Sequence, residues 1–428
     1  MNRKEINNLF LHTLLFVFLM VGFHHLRAQT VYPYPYHFPK YPFIQYDSNK
    51  VYYAADSAKW EQFFTKLDSV YFFGKGQVNI LQMGGSHIQA DIWSSRLRRN
   101  FQTLMPGCDA GRGLIFPMKI AKTNNPYSFD VKYTGEWDKC KNVEKNKNCT
   151  LGLTGMQVFT SDTNASFTIY FRTREYEYLN YPFNHVKLFY NIDTTSFDVE
   201  ITNVPANVYS VRINPELGYQ EFIFNRYIDT VSFKLVKHDS CQQNFTLYGL
   251  TLESDLPGIY YHGVGVNGAS VPSYLRCNEL EKQLQVIKPD LVVFSIGIND
   301  AYMTQSEFIP EEFYQNYDSL IQRIHSVSPN TAILFTNNND SYYKRRFPNK
   351  NVLKVREQML LLAKKYNAAF WDMFQVMGGL GSIYQWQQAG LAKKDKIHLT
   401  TEGYKLMGDL MFSAILKKYE NHIKHTAQ

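Results

Sequence analysis

Four short stretches of the chain carry side chains able to do acyl chemistry. Gly84-Gly85-Ser86-His87 follows an apolar run, Val78 to Met83, and opens a helical pattern. Glycines let the backbone turn sharply, so the Ser86 hydroxyl would stand at a helix N-terminus, where free N–H groups and the dipole suit a developing oxyanion. "GVGVNGAS" (263–270) reads as a glycine-rich loop whose backbone could approach a substrate closely. Gly297-Ile298-Asn299-Asp300 ends the strongest apolar run, offering Asn299 as an N–H donor and Asp300 as a brace for the loop. Asp395-Lys396-Ile397-His398 sets a carboxylate three residues before a histidine. On one turn that carboxylate can accept one imidazole N–H and leave the other nitrogen to take a proton from a serine. Taken singly, each stretch also fits a plain structural role: a serine cap, a glycine loop, an Asx turn, a surface turn.

The elements that must position these residues follow an α/β rhythm at both ends of the chain. "DSAKWEQFFTKLDSVYF" carries a helical apolar stripe at Trp60, Phe63, Phe64 and Leu67, opened by an Asp56 or Ser57 cap, and leads into the first strand. Helical period returns from Ile88 to Leu104, with Ile88, Ile92, Leu97 and Phe101 facing inward and Arg96, Arg98 and Arg99 outward. From about residue 258 onward, "DLVVFSIG", "TAILFT" and "AAFWDMF" read as strands, alternating with helices at 310–327, 351–367 and 401–423, the last capped by Thr400 or Thr401. Strands spaced by helices imply a parallel sheet with crossovers. Ligands of such sheets gather at the carboxyl ends of the strands, where these stretches fall.

Between about 109 and 257 the texture changes. Short alternating runs recur, among them "SFDVKY", "ASFTIYF", "HVKLFYNI", "VYSVRI" and "NFTLYGLTLE", which argue an all-β sandwich inserted into the α/β part. The expected organisation is a signal peptide over 1–28, a Tyr/Pro-rich lead-in over 29–58, a discontinuous α/β domain over 59–108 and 258–428, and the insert over 109–257.

Composition narrows the class. The chain has 428 residues, 16% of them aromatic, and a formal net charge of +7 with Lys and Arg scattered rather than in blocks. That pattern gives no reason to expect a nucleic-acid partner. Arg3 and Lys4 precede the apolar core "LLFVFLMVGF", which reads as a secretory signal cleaved near Ala28 or Gln29, with an uncleaved anchor as the other reading. No later run has the length of a membrane span. The expected location is therefore exported, either periplasmic or extracellular at the cell envelope. Five cysteines form no disulfide scaffold and no metal-ligand spacing, and Cys140 with Cys149, on one charged loop, is the candidate local bridge. The histidines, His87 and His262 included, show no paired metal spacing, so neither metal nor other cofactor is expected.

Taken in order, serine, glycine loop, GxND and DxxH before a terminal helix supply a nucleophile, oxyanion donors and a base with its orienter. This resembles the SGNH/GDSL hydrolase superfamily, a three-layer α/β sandwich, whose namesake residues match Ser86, Gly268, Asn299 and His398, with Asp395 completing a triad. The resemblance implies catalytic roles for Ser86, Asp395 and His398. It also implies an oxyanion hole from the Ser86 and Gly268 amides and the Asn299 side chain. One departure stands out: the family usually has an Asp before the serine, where this chain has Gly85.

The flanking stretches "LQMGGSHIQADIWSSRLRR", "AGRGLIFPMKIAKTNNPYSF" and "GGLGSIYQWQQAGLAKKDKIHLTTEGY" are similar to exported peptidoglycan O-acetylesterases with an inserted carbohydrate-binding-module-like β domain. That likeness implies a serine esterase removing O-acetyl groups from a cell-wall glycan. Two alternatives stay open: an acetylesterase for xylan or a capsule, and a non-catalytic glycan-binding protein in which Gly85 marks a decayed site.

Overall fold

A computed structural model describes residues 39–53, 58–172 and 181–426. The expected signal peptide, residues 29–38 and 54–57 of the lead-in, and with them the Asp56 or Ser57 cap, lie outside the described residues. Six strands form the central sheet in the order Val51–Tyr53, Ala369–Trp371, Ala332–Thr336, Leu291–Ser295, Gln77–Gly84 and Gly258–Gly265. All neighbours run parallel except the edge strand Val51–Tyr53, which is antiparallel to Ala369–Trp371. The inner strands are mostly apolar because both faces are covered, with Asn79 and Gln82 the polar interruptions in Gln77–Gly84. Helix Ala58–Phe73 buries Trp60, Phe63, Phe64, Leu67, Val70 and Tyr71 at helical spacing. Helix Pro310–Val327 starts on a proline that needs no N–H partner there and buries Phe313, Tyr317, Leu320, Ile321 and Ile324. The terminal helix Thr401–Thr426 begins at Thr400, whose hydroxyl accepts the Gly403 N–H at 3.2 Å.

The strands from Gly113 to Glu253 are antiparallel and form two sheets. One runs Tyr209–Asn214, Tyr219–Ile228, Phe183–Tyr190, Phe245–Glu253, Met156–Thr160 and Asp138–Lys141, with Gly113–Ile115 added on Phe245–Glu253. The other runs Phe129–Thr134, Ser166–Phe171, Thr230–Val236 and Asp198–Ile201. Phe222 of the first sheet meets Phe233 of the second at 5.8 Å between ring centroids, as facing sheets of a sandwich do. The architecture is thus an SGNH-type α/β fold with an inserted β domain. The apolar cluster is continuous, joining Leu81, Met83 and Val264 of the parallel sheet to Leu114, Phe129 and Leu250 of the antiparallel ones. A disulfide links Cys140 and Cys149, leaving Cys108, Cys241 and Cys277 as free thiols.

Three expectations need correction. The helix expected from Ile88 to Leu104 is two helices, Ser86–Gln89 and Ile92–Gln102, because Asp91 takes a left-handed backbone (φ 53°) that ends the first. Arg98 does not face outward: it is fully buried, and its guanidinium donates to Asp91 at 2.9 Å. The stretch from Gly263 to Gly265 is not loop but the end of the strand Gly258–Gly265. A Cβ at Gly265 would lie 2.3 Å from the Gln89 nitrogen, so the glycine there serves close packing against the Ser86 helix.

Candidate active site

Register brings the ends of three strands level. Gly84 pairs with Gly265 on one side and Ser295 on the other. The chain then turns through Gly85 into the helix Ser86–Gln89, which puts Ser86 at its first position. Gly84 cannot carry a side chain, since its Cβ would meet Ile88 Cγ1 at 2.3 Å and the Ser295 carbonyl at 2.8 Å. Tyr274 locks the same corner, donating its hydroxyl to the Gly84 carbonyl at 2.7 Å.

Asp395, Lys396, Ile397 and His398 form a tight turn in which Lys396 is left-handed (φ 56°). One Asp395 oxygen accepts the backbone N–H groups of Ile397 and His398, both at 3.0 Å. The other lies 2.9 Å from His398 Nδ1, and His398 Nε2 lies 2.8 Å from Ser86 Oγ. Burial works against the Asp395 charge, but the hydrogen bonds from His398 and the two amides outweigh it and hold the carboxyl well below its usual range. With that carboxylate ionised, Nδ1 carries the proton, and Nε2 is left to accept from the Ser86 hydroxyl. From behind, Asn339 Nδ2 donates to the Ile397 carbonyl at 2.9 Å.

The donors cluster opposite. Gly268 is left-handed (φ +82°), and neither its amide nor that of Ser86 donates to a protein acceptor among the described residues. Asn299 Nδ2 donates to the Ala269 carbonyl at 2.9 Å, which uses one of its two protons and fixes the amide beside this loop. Asp300 braces the same loop by accepting the Val271 N–H at 3.1 Å. Burial raises the Asp300 carboxyl to about 7 against the pull of that hydrogen bond. Gln89 Oε1 accepts the Asn267 N–H at 2.7 Å, and Gln89 Nε2 donates to Thr123 Oγ1 at 2.9 Å, tying the loop to the start of the insert.

Gly85 is negative in φ (−101°), so no backbone demand requires glycine. Space is the tighter constraint: a Cβ at Gly85 would sit 3.1 Å from Asn299 Nδ2 and 3.3 Å from the Ala269 carbonyl, so a side chain there would push on the Asn299 amide. With glycine at this position the Asn299 amide can lie close beside the turn that carries Ser86. His87, the tempting neighbour of Ser86, is buried with its ring 5.1 Å from that of His398, and its Nδ1 is hydrogen-bonded with the Tyr404 hydroxyl at 2.7 Å. Burial and then the neighbouring His398 ring push it down to about 3, which keeps it neutral. His262 accepts the Leu114 N–H at 2.9 Å and belongs to the core. Among the described residues no group of three or more His, Cys, Asp or Glu side chains could hold a metal ion.

Tyr274, Gln89, Asn339 and Tyr404 were not singled out from the sequence. Only Gln89 carried a signal, lying one helical turn after Ser86.

A serine, histidine and aspartate in relay at the carboxyl edge of a parallel sheet form an arrangement able to do acyl-transfer chemistry on an SGNH-type fold. Residues 236–406 match the model of the GDSL-like lipase/acylhydrolase family. The fold is similar along most of its length to a solved peptidoglycan O-acetylesterase, at 18% identity and a TM-score of 0.69, covering 87% of this chain and 99% of that one. Two smaller structures match less of it. A lipase/acylhydrolase from Enterococcus faecalis is 21% identical over 38% of this chain and 77% of its own, with a TM-score of 0.31. An acetyl xylan esterase is 21% identical over 36% and 81%, with a TM-score of 0.30. No curated protein sequence matches the chain.

Proposed function

We propose that the protein is a serine acetylesterase that removes O-acetyl groups from a cell-wall glycan, with peptidoglycan as the substrate. The observation that carries the reading is the relay from Asp395 through His398 to Ser86, at 2.9 and 2.8 Å. His398 Nε2 takes the hydroxyl proton as Ser86 Oγ attacks the acetyl carbonyl, and Asp395 stabilises the imidazolium that forms. The tetrahedral oxyanion is met by the Ser86 and Gly268 amides and the second Asn299 proton, each such donor worth about 2.7–4 kcal/mol in the transition state. His398 then returns the proton to the departing sugar oxygen as the C–O bond breaks, leaving acetyl-Ser86. Water, deprotonated by the same nitrogen, releases acetate and restores the serine.

In this reading 59–108 and 258–428 form the catalytic domain, 109–257 is a glycan-recognising insert, and the enzyme works outside the cytoplasm, in the periplasm or at the cell surface. No described helix is long and apolar enough to cross a membrane. The length over which the chain matches the solved peptidoglycan esterase supports the substrate over xylan. Acetate release from O-acetylated peptidoglycan and from acetylxylan, measured side by side, tests it. Release from peptidoglycan in clear preference is expected, and release from acetylxylan alone would overturn the substrate.

A further inference from the structure

Next to the relay lies a basic, aromatic surface that ester hydrolysis does not itself need. Tyr342–Tyr343 and Phe347–Pro348 pair as a small antiparallel hairpin, closed by the Arg346 N–H donating to the Tyr343 carbonyl at 3.1 Å. The two central residues, Lys344 and Arg345, both have left-handed backbones (φ 49° and 61°). That is the pattern of a type I′ turn, in which Asn-Gly is the favoured pair and residues with a Cβ pay a conformational cost. Lys344, Arg345 and Arg346 are exposed in succession, followed by Phe347 at 61% exposure. A turn that served only to reverse the chain has no need of two strained cations at its tip.

Hydrogen bonds join this hairpin to both loops of the site. The Tyr342 N–H donates to the Lys396 carbonyl at 3.0 Å, one residue from Asp395. On the other side the Lys344 N–H donates to the Tyr302 hydroxyl at 3.1 Å, and the Tyr302 N–H donates to the Asn299 carbonyl at 3.4 Å. The Tyr302 and Tyr343 rings meet edge to face at 5.2 Å. The Lys396 ammonium stands 4.5 Å from the Tyr342 ring and 5.8 Å from that of Tyr384, which is half exposed. The acidic groups beside this surface are occupied: Asp395 is bound to His398, and Glu307 accepts from the Thr304 amide and hydroxyl.

We propose that the hairpin at 342–348, with Tyr302, Tyr384 and Lys396, is a subsite for the carboxylate-bearing part of an acidic acetylated glycan. Exposed rings offer faces on which sugars pack, and Arg and Lys side chains take carboxylates by charge-assisted hydrogen bonds. The inference rests on the reading of the protein as a glycan esterase and narrows its substrate class to acidic glycans, such as peptidoglycan with its peptide stems, over neutral ones such as xylan.

The test uses Lys344→Asn/Arg345→Gly, a pair the turn geometry favours and which removes both charges, together with Arg346→Gln as a second variant. Kinetics are read on O-acetylated peptidoglycan, acetylxylan and p-nitrophenyl acetate. The expected result is a fall of about tenfold in kcat/KM for peptidoglycan relative to p-nitrophenyl acetate, the scale of one or two lost charge-assisted hydrogen bonds. It should be carried by KM, weaken in high salt, and come with a Tm in the double variant no lower than wild type. An unchanged ratio, or an equal fall on neutral acetylxylan, would overturn the subsite. Sedimentation of Ser86→Ala protein with peptidoglycan sacculi, with and without the hairpin changes, reads the same subsite without catalysis. A wild type that cleaves no ester but loses sacculus binding with the hairpin charges would reject the esterase and keep the subsite, whereas hairpin-independent binding would reject the subsite.

Discussion

The parallel and antiparallel sheets share one apolar cluster yet use buried polar groups differently. At the carboxyl edge of the parallel sheet, Ser86, His398, Asp395 and Asn299 converge from distant parts of the chain on one small volume, held by neighbours that face away from it. Where the chain leaves that sheet for the insert, Asp91 gathers Arg98, Arg112, Ser94 and Ser128 into a closed cluster with nothing left to offer a ligand. Burial opposes the Asp91 charge, but the two guanidiniums more than offset it and lower the carboxyl below its ordinary range. One set of polar groups is satisfied by the protein, and the other keeps donors free for something that arrives.

The largest effect should come from breaking the closed cluster. Asp91→Ala leaves two buried guanidiniums without their carboxylate, a loss of about 3–5 kcal/mol on the usual scale for a broken buried pair. A fall in the denaturant midpoint with unchanged slope would measure it, and a loss under 1 kcal/mol would mean that the junction relaxes easily. Asn299→Ala should do the reverse, leaving stability nearly intact while lowering kcat about 10²–10³-fold. Gly85→Ala probes the same donor more gently: its methyl group must displace the Asn299 amide by a few tenths of an ångström. A drop in kcat of about tenfold is expected, because small misplacements at a reacting centre are costly, and steady-state acetate release would read it.

The smallest effect is confined to the clamp between the terminal helix and Ala58–Phe73. There His422 Nδ1 lies 2.6 Å from Glu61 and Nε2 lies 2.9 Å from Asp68. Burial opposes the charged ring, but the two carboxylates outweigh it and raise its pKa. A histidine raised on folding stabilises fully below its unfolded value of about 6.5 and loses that contribution as pH climbs through the folded value. The Tm gap between wild type and His422→Gln should therefore be widest near pH 6 and shrink toward pH 9. A gap independent of pH would show that packing alone is at work.

Much of this was legible in the sequence where local rules agree with the fold. The buried strands around Val78, Val292 and Ile333 declare themselves as apolar runs, and Pro310 and Thr400 mark helix starts. The strand Tyr219–Ile228 was not legible, because Gln220 and Glu221 are buried polar residues that break the alternation, with Glu221 accepting from His185 at 3.1 Å. Arg98 was misread for the same reason, since its partner Asp91 becomes visible as a helix break only through its backbone. Ser86, Asn299, Asp395 and His398 could be picked out because their chemistry has few other uses in that order. Their supports, Tyr274 and Asn339, reach the site by hydrogen bonds across more than fifty residues of chain and leave no local pattern.

The central claim is that Ser86 is a nucleophile activated by His398. Labelling the folded protein with a serine-directed fluorophosphonate, followed by mapping of the modified peptide, tests it most directly. The account predicts a single adduct on Ser86, absent in Ser86→Ala and slowed by orders of magnitude in His398→Ala. An unlabelled wild type, or labelling that survives Ser86→Ala, would contradict it.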